Sequence, residues 1–213
     1  MSLSAFDLDH TLLRKNSSFE FCKYLYRQGV LSFFSLICSF IYYIRHTYLG
    51  LSLDQLHHKV FKKLLFGLPM RMLLDHAAVF VERNWQDLVY FPSWEKLRSA
   101  QHRGHITIIL SNSPSFLVRI LAEKFQVDDW KGSEYLVDSE QKLSQIGHIL
   151  QGRDKALLLQ QISSAKGICL KKTTAYSDSI LDLCFLHAAG SAVVVNPDQK
   201  LKKVSHAFCW EEI

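Results

Sequence analysis

The stretch Ala5-Phe6-Asp7-Leu8-Asp9-His10-Thr11-Leu12-Leu13 constrains this chain more than any other, because the segment after it is not a second strand. It is an apolar run that delivers two carboxylates and then a hydroxyl. In an extended segment Asp7 and Asp9 project from one side while Phe6 and Leu8 anchor the other. From Leu13 to about Tyr90 the pattern is helical, and strand and helix alternate only after Phe91-Pro92. This order predicts an α/β core with a parallel, Rossmann-like sheet, into which a helical cap is inserted after the first strand. The expected boundaries are 1–15 and 91–213 for the core and 16–90 for the cap.

Two adjacent carboxylates repel each other. They are comfortable only with a cation between them or a proton on one, which suits Mg2+ binding combined with acid/base work. Solvated acids at the end of a surface strand are the other reading of the same residues. Composition narrows the classes. A net charge of +5 over 213 residues is compatible with anionic substrates or an anionic membrane surface, and no basic stripe with interleaved aromatics argues for nucleic acid. The five cysteines are scattered, with no C-x-x-C pair, which predicts a reducing compartment and no zinc site. The first strand begins almost at Met1, with no room for a leader, so a cytoplasmic protein is expected.

Hydrophobic residues make up 48% of the chain, and the excess concentrates in Val30–Ile44, which carries no charge. The preceding helix is expected over Phe19–Arg27, capped by Ser18 and ended by Gly29. On a helical wheel Ser32, Ser35, Ser39, Tyr42 and His46 share one side of the apolar segment, while Leu31, Phe33, Phe34, Ile37, Phe40, Ile41 and Ile44 cover most of the rest. The apolar side needs a cover: the other cap helices, another subunit, or a membrane interface with Arg27, Arg45, Lys59, Lys62 and Lys63 near lipid phosphates. Ser52-Leu53-Asp54-Gln55 has capping-box form and opens a helix to about Phe66, and Pro69 begins the next, which buries Leu73, Ala77 and Val81. His57, His58 and His76 lack a second ligand cluster and read as surface histidines.

In the resumed core, Trp94–Arg103 is a helix and Ile106–Leu110 a buried strand running into Ser111-Asn112-Ser113-Pro114. A hydroxyl there, followed by a helix N-terminus, is a natural phosphate seat, although Ser111 could equally be a helix cap. Two short runs, Glu134–Val137 and Ile146–Leu150, predict a hairpin. Lys155, in the first turn of a helix from Gly152 to Ser164, can reach inward as a point charge or be solvated. Thr173–Tyr176 reads as a strand ending in Ser177-Asp178-Ser179, with Asp182 in the next helix. Acids at such a position are placed to ligate a metal, and Asp182 also fits a surface acid favoured by the helix dipole.

Taken in order, FDLDHTLL, ILSNSP, GRDK, YSDSILDL and VVVNPD resemble the haloacid dehalogenase superfamily of phosphatases, and most closely its phosphoserine phosphatase-like branch. The likeness spans essentially the whole chain. It implies an aspartyl-phosphate mechanism with Asp7 as nucleophile and Asp9 as acid and then base. It also implies Mg2+ as cofactor, held by Asp7, Asp178 and the Asp9 carbonyl, with Asp182 and Thr11 in support. Ser111, Asn112 and Lys155 would bind the phosphate, and Lys155 would keep Asp7 ionised. The chain departs from that branch at three positions. His10 replaces a small residue, Leu181 stands where a polar phosphate contact is usual, and Asn16 stands where a glutamate reads the substrate ammonium group. His10 and Asn16 are therefore expected to set specificity. The greasy cap helix is similar to that of phosphatidylglycerophosphate phosphatases, so the expected partner is a lipid head group or a small phosphorylated molecule. A scaffold that binds a phosphorylated ligand without turning it over is the remaining alternative.

Overall fold

Every residue of strand β1, Leu3–Phe6, is buried, as a central strand requires. In the computed structural model, which describes the backbone of residues 1–213 and all side chains except those of 46–48, β1 pairs in parallel with strands from far along the chain. Its neighbours are β2, Ile106–Pro114, and β6, Thr173–Ser177. The other members are β3, Asp129–Ser133, β7, Ser191–Val194, and β8, Glu211–Glu212, giving a six-stranded parallel sheet in the order β3-β2-β1-β6-β7-β8.

Alternation along β1 divides the core. Phe6 joins Ile109, Tyr176 and Val193 on one face, whereas Leu3 and Ala5 join Ile108, Leu110, Ala175 and Val194 on the other. On the first face Phe6 stacks on Tyr176 at 4.1 Å between ring centroids, directly across the β1–β6 register. The helices that cover this face include α5, Phe91–His102, and α6, Ser115–Phe125; the opposite face is covered by α7, Gly152–Ala165, α8, Leu183–Ala188, and α9, Gln199–Ala207. Strands β4, Tyr135–Val137, and β5, Leu143–Ile146, form the hairpin.

Between β1 and α5 come helices alone: α1, Ser17–Arg27, α2, Phe33–Tyr48, α3, Leu53–Val60, and α4, Met70–Leu88. The Ser52/Gln55 capping box forms as anticipated. The cap of α1 differs. Asn16, not Ser18, accepts from Phe19 N–H, so the helix starts two residues early. Helix α2 starts late, because Ser32 caps it by accepting from Ser35 N–H, which leaves Val30 and Leu31 in the connection. The second hairpin strand also lies earlier than Ile146–Leu150, since pairing from the Asp138 turn brings Leu143, not Leu150, opposite Val137. Strand β3 has no counterpart in the sequence pattern, because Asp-Trp-Lys-Gly-Ser is a polar edge segment without alternation.

The hydroxyl side of helix α2 is covered only in part, with Ser32 exposed and Ser35 and Tyr42 half-buried. Ser39 is buried, whereas Phe33 and Phe34 are 61% and 62% exposed and Ile37, Phe40 and Ile41 also face solvent. His46 lies outside the described side chains. Among the described residues no helix is long and apolar enough to cross a membrane.

Candidate active site

The ends of β1, β2 and β6 meet at the carboxyl edge of the sheet, where open α/β sheets bind ligands. Asp7 follows β1 directly, its N–H bonded to the Tyr176 carbonyl at 2.9 Å. The chain then makes a wide turn closed by Leu13 N–H to the Leu8 carbonyl, at 2.9 Å. His10 sits at its crest with φ of 60°, in the left-handed region. This is why a small residue is natural at that position, and His is among the side chains that tolerate it. It is the one exposed residue of the turn, while Asp7, Asp9 and Thr11 are buried.

Lys155 reaches inward. Its Nζ donates to Asp7 Oδ1 at 2.6 Å and to Asp182 Oδ2 at 2.7 Å, and the residue is 2% exposed. Ser177 Oγ donates to the same Asp182 oxygen at 2.8 Å. Thr11 Oγ1 donates to Asp178 Oδ1 at 3.2 Å. Asp182 is thus tied to the lysine, which it orients. Gly152 is needed where α7 begins, since a Cβ there would lie 2.2 Å from the Leu181 carbonyl oxygen. That close approach is what lets Lys155 and Asp182 converge.

Lys155 favours the Asp7 anion, against the burial of the site and the charge of the neighbouring acids. Burial pushes the Asp7 carboxyl up to about 7; Lys155 opposes this, but Asp182 and Asp9 add repulsion. Asp178 is raised as well, through burial and the charges of Asp7 and Asp182. Lys155 is raised despite its burial by those same carboxylates. The edge therefore gathers Asp7, Asp9, Asp178 and Asp182 around a single lysine, an excess of hard oxygen donors that fits a divalent cation. Among the described residues no group of three His, Cys, Asp or Glu side chains has metal-holding geometry, so Asp7 and Asp178 would be completed by carbonyl and water oxygens. His57 Nδ1 lies 2.9 Å from the Tyr135 hydroxyl.

Ser111 is fully buried at the end of β2, and its Oγ accepts from Ser113 N–H at 3.1 Å, which leaves its hydrogen to donate. The carbonyl of Asn112 accepts from Ser133 Oγ at 2.6 Å. Asp9 is held by three donors: Ser17 N–H at 2.7 Å, Ser113 Oγ at 2.7 Å and Asn16 Nδ2 at 3.2 Å. The side chain of Asn16, expected to read substrate, has both ends engaged within the chain, on Phe19 N–H and on Asp9. Ser113, Ser17 and Ser177 were not anticipated. Ser113 could have been found by strand alternation, which places it on the same side as Ser111; Ser17 meets Asp9 only through the helical insertion.

A buried carboxylate beside a lysine, with a hydrogen-bonded acid and a buried hydroxyl close by, is a set of groups suited to hydrolytic chemistry on an anionic ester. The chain belongs to the haloacid dehalogenase-like hydrolase family, whose model matches residues 5–187. It is 25% identical over 209 residues to a probable phosphatase of Mycobacterium tuberculosis, covering 96% of this chain and 72% of that protein. A histidinol-phosphatase of Neisseria meningitidis is 25% identical over 220 residues, covering 98% and 96%. In fold the chain resembles a phosphoserine phosphatase solved as a phospho-aspartyl intermediate analogue, with TM-score 0.71 and 19% identity over 95% of this chain and 90% of that one. Family, relatives and site make it a phosphoric monoester hydrolase.

Proposed function

We propose that the protein is a Mg2+-dependent phosphatase that works through an aspartyl-phosphate on Asp7 and acts on a lipid-linked phosphate such as phosphatidylglycerophosphate. The observation that carries the chemistry is the pairing of buried Asp7 with Lys155 at the sheet edge. Asp7 attacks phosphorus in line, the ester oxygen leaves with a proton from Asp9, and Asp9 then takes a proton from the water that hydrolyses the acyl phosphate. Lys155 and Ser111 hold the phosphoryl oxygens. Asp7, Asp178 and the Asp9 carbonyl would hold Mg2+, which would supply positive charge to offset the repulsion between carboxylate and phosphate.

The exposed side of α2 supports the lipid substrate. Phe33, Phe34, Ile37, Phe40 and Ile41 leave an exposed apolar face there, and Lys63 Nζ lies 4.9 Å from the centroid of the Phe34 ring. Between residues 21 and 74 the chain has seven Lys or Arg residues and one acid, Asp54. An apolar helix face with a basic surround fits the interface of an anionic bilayer on the cytoplasmic side. A soluble ester such as phosphoserine or histidinol phosphate is the alternative substrate, favoured by the name of the Neisseria relative.

The test is phosphate release with Mg2+ from phosphatidylglycerophosphate in mixed micelles, phosphoserine, histidinol phosphate and sugar phosphates, with Asp7→Asn as the blank. Selective turnover of the lipid is expected. Turnover of soluble esters alone overturns the lipid assignment, and turnover by Asp7→Asn overturns the mechanism.

A further inference from the structure

We propose that Ser113 is a positioning residue through which the first helix of the insertion sets the orientation of Asp9; this rests on Asp9 being the acid and base of the reaction. The two buried groups lie 2.7 Å apart, Ser113 Oγ donating to Asp9 Oδ2. With its hydrogen spent there, the Ser113 oxygen accepts from the α1 hydroxyls, Ser18 Oγ at 2.8 Å and Ser17 Oγ at 3.2 Å. Helix α1 also addresses the carboxylate directly, through Ser17 N–H on Oδ1 and the Asn16 amide on Oδ2.

The arrangement ties the acid to the helix start. Asn16 uses one end of its amide to cap α1 and the other to hold Asp9, so helix formation and carboxylate orientation share one side chain. Ser113 supplies the link from the core strand, and it sits at the end of β2, the strand that also presents Ser111. A hydroxyl that donates to one carboxylate oxygen fixes the plane of the carboxylate, and with it where a proton carried by Asp9 points. The seating of α1 against β2 is therefore the condition for Asp9 to face the leaving oxygen.

The experiment measures kcat/KM, which reports the phosphoryl transfer to Asp7, for a series of aryl phosphates from p-nitrophenyl to phenyl phosphate in Mg2+. A positioned acid matters most for the poorest leaving group, and general acids contribute about 10²–10⁴-fold. Ser113→Ala is expected to lose about tenfold or more with phenyl phosphate and under about threefold with p-nitrophenyl phosphate, steepening the leaving-group dependence as misplacement of such an acid does. Ser113→Thr, which keeps the hydroxyl, should restore the shallow dependence, and Ser18→Ala should fall between. Equal losses across the series in Ser113→Ala overturn the inference, since a packing defect does not sort substrates by leaving group. Asp9→Asn separates the two levels of the argument: a steep dependence there with none in Ser113→Ala refutes the role of Ser113 alone. A shallow dependence in Asp9→Asn refutes the assignment of Asp9 itself.

Discussion

Replacing Lys155 by methionine should destabilise the protein in a strongly pH-dependent way. Methionine keeps most of the stem and removes the charge, leaving Asp7 and Asp182 without the Nζ that lies 2.6 and 2.7 Å from them. Breaking a buried ion pair by removing one partner costs about 3–5 kcal/mol. The carboxylates can recover part of this by binding protons, at about 1.4 kcal/mol for each unit by which a raised pKa exceeds the pH. In the native protein Asp7 already stands at about 7, above its ordinary 3.8. The folded state therefore binds the Asp7 proton more tightly than the unfolded chain, and this group makes stability fall as pH rises from about 3.8 to about 7 and then level off. Without Lys155 the pKa climbs further, so the variant continues to lose stability above 7 where the native protein does not. The expected loss is about 1–2 kcal/mol at pH 5.5, where Asp7 is protonated in both proteins, and about 3–5 kcal/mol at pH 8. Urea denaturation at the two pH values measures it. An equal loss at both, or none at pH 8, would refute the electrostatic account of the site.

Mg2+ should raise the melting temperature more at pH 8 than at pH 5.5, because Asp7 and Asp178, both raised by burial and mutual repulsion, must shed protons to bind it; a uniform shift in scanning calorimetry would count against these ligands. Gly152→Ala should cost about 1–3 kcal/mol by overpacking and lower phosphatase activity, since its methyl would meet the Leu181 carbonyl at 2.2 Å and push the Asp182 turn away from Lys155. The double variant Phe33→Ser, Phe34→Ser, at positions 61% and 62% exposed, should lower urea stability by no more than about 1–2 kcal/mol, while cosedimentation with anionic vesicles drops. Retained cosedimentation would remove α2 from the lipid contact.

Much of the site was legible because its chemistry lies where strands end. Asp7 and Ser111 each come at the end of an apolar run and Asp178 just past a β-branched and aromatic one, so strand detection and residue type together pointed to them. Lys155 and Asp182 were ambiguous for a physical reason. A lysine or acid in the first turn of a helix reads the same whether it faces solvent or a neighbouring strand, and only the packing of α7 against the turn before α8 decides that both point inward. The edge strand β3 escaped because pairing with β2, and not its own composition, makes it extended.

Local pattern by itself determined the parallel α/β core, the helical insertion after β1 and the capping of α3, since each depends on periodicity or on bonds between near neighbours in the chain. Tertiary structure decided the rest. It buried Ser39 of α2 while leaving Phe33 and Phe34 exposed, and it brought the Asn16 amide onto Asp9. It also raised Asp7 to about 7 by burying it among acids that lie up to 175 residues away in sequence. Burial and Coulomb energy depend on distance in space, and a chain that returns to the same sheet edge from β1, β2 and β6 sets those distances only once it has folded.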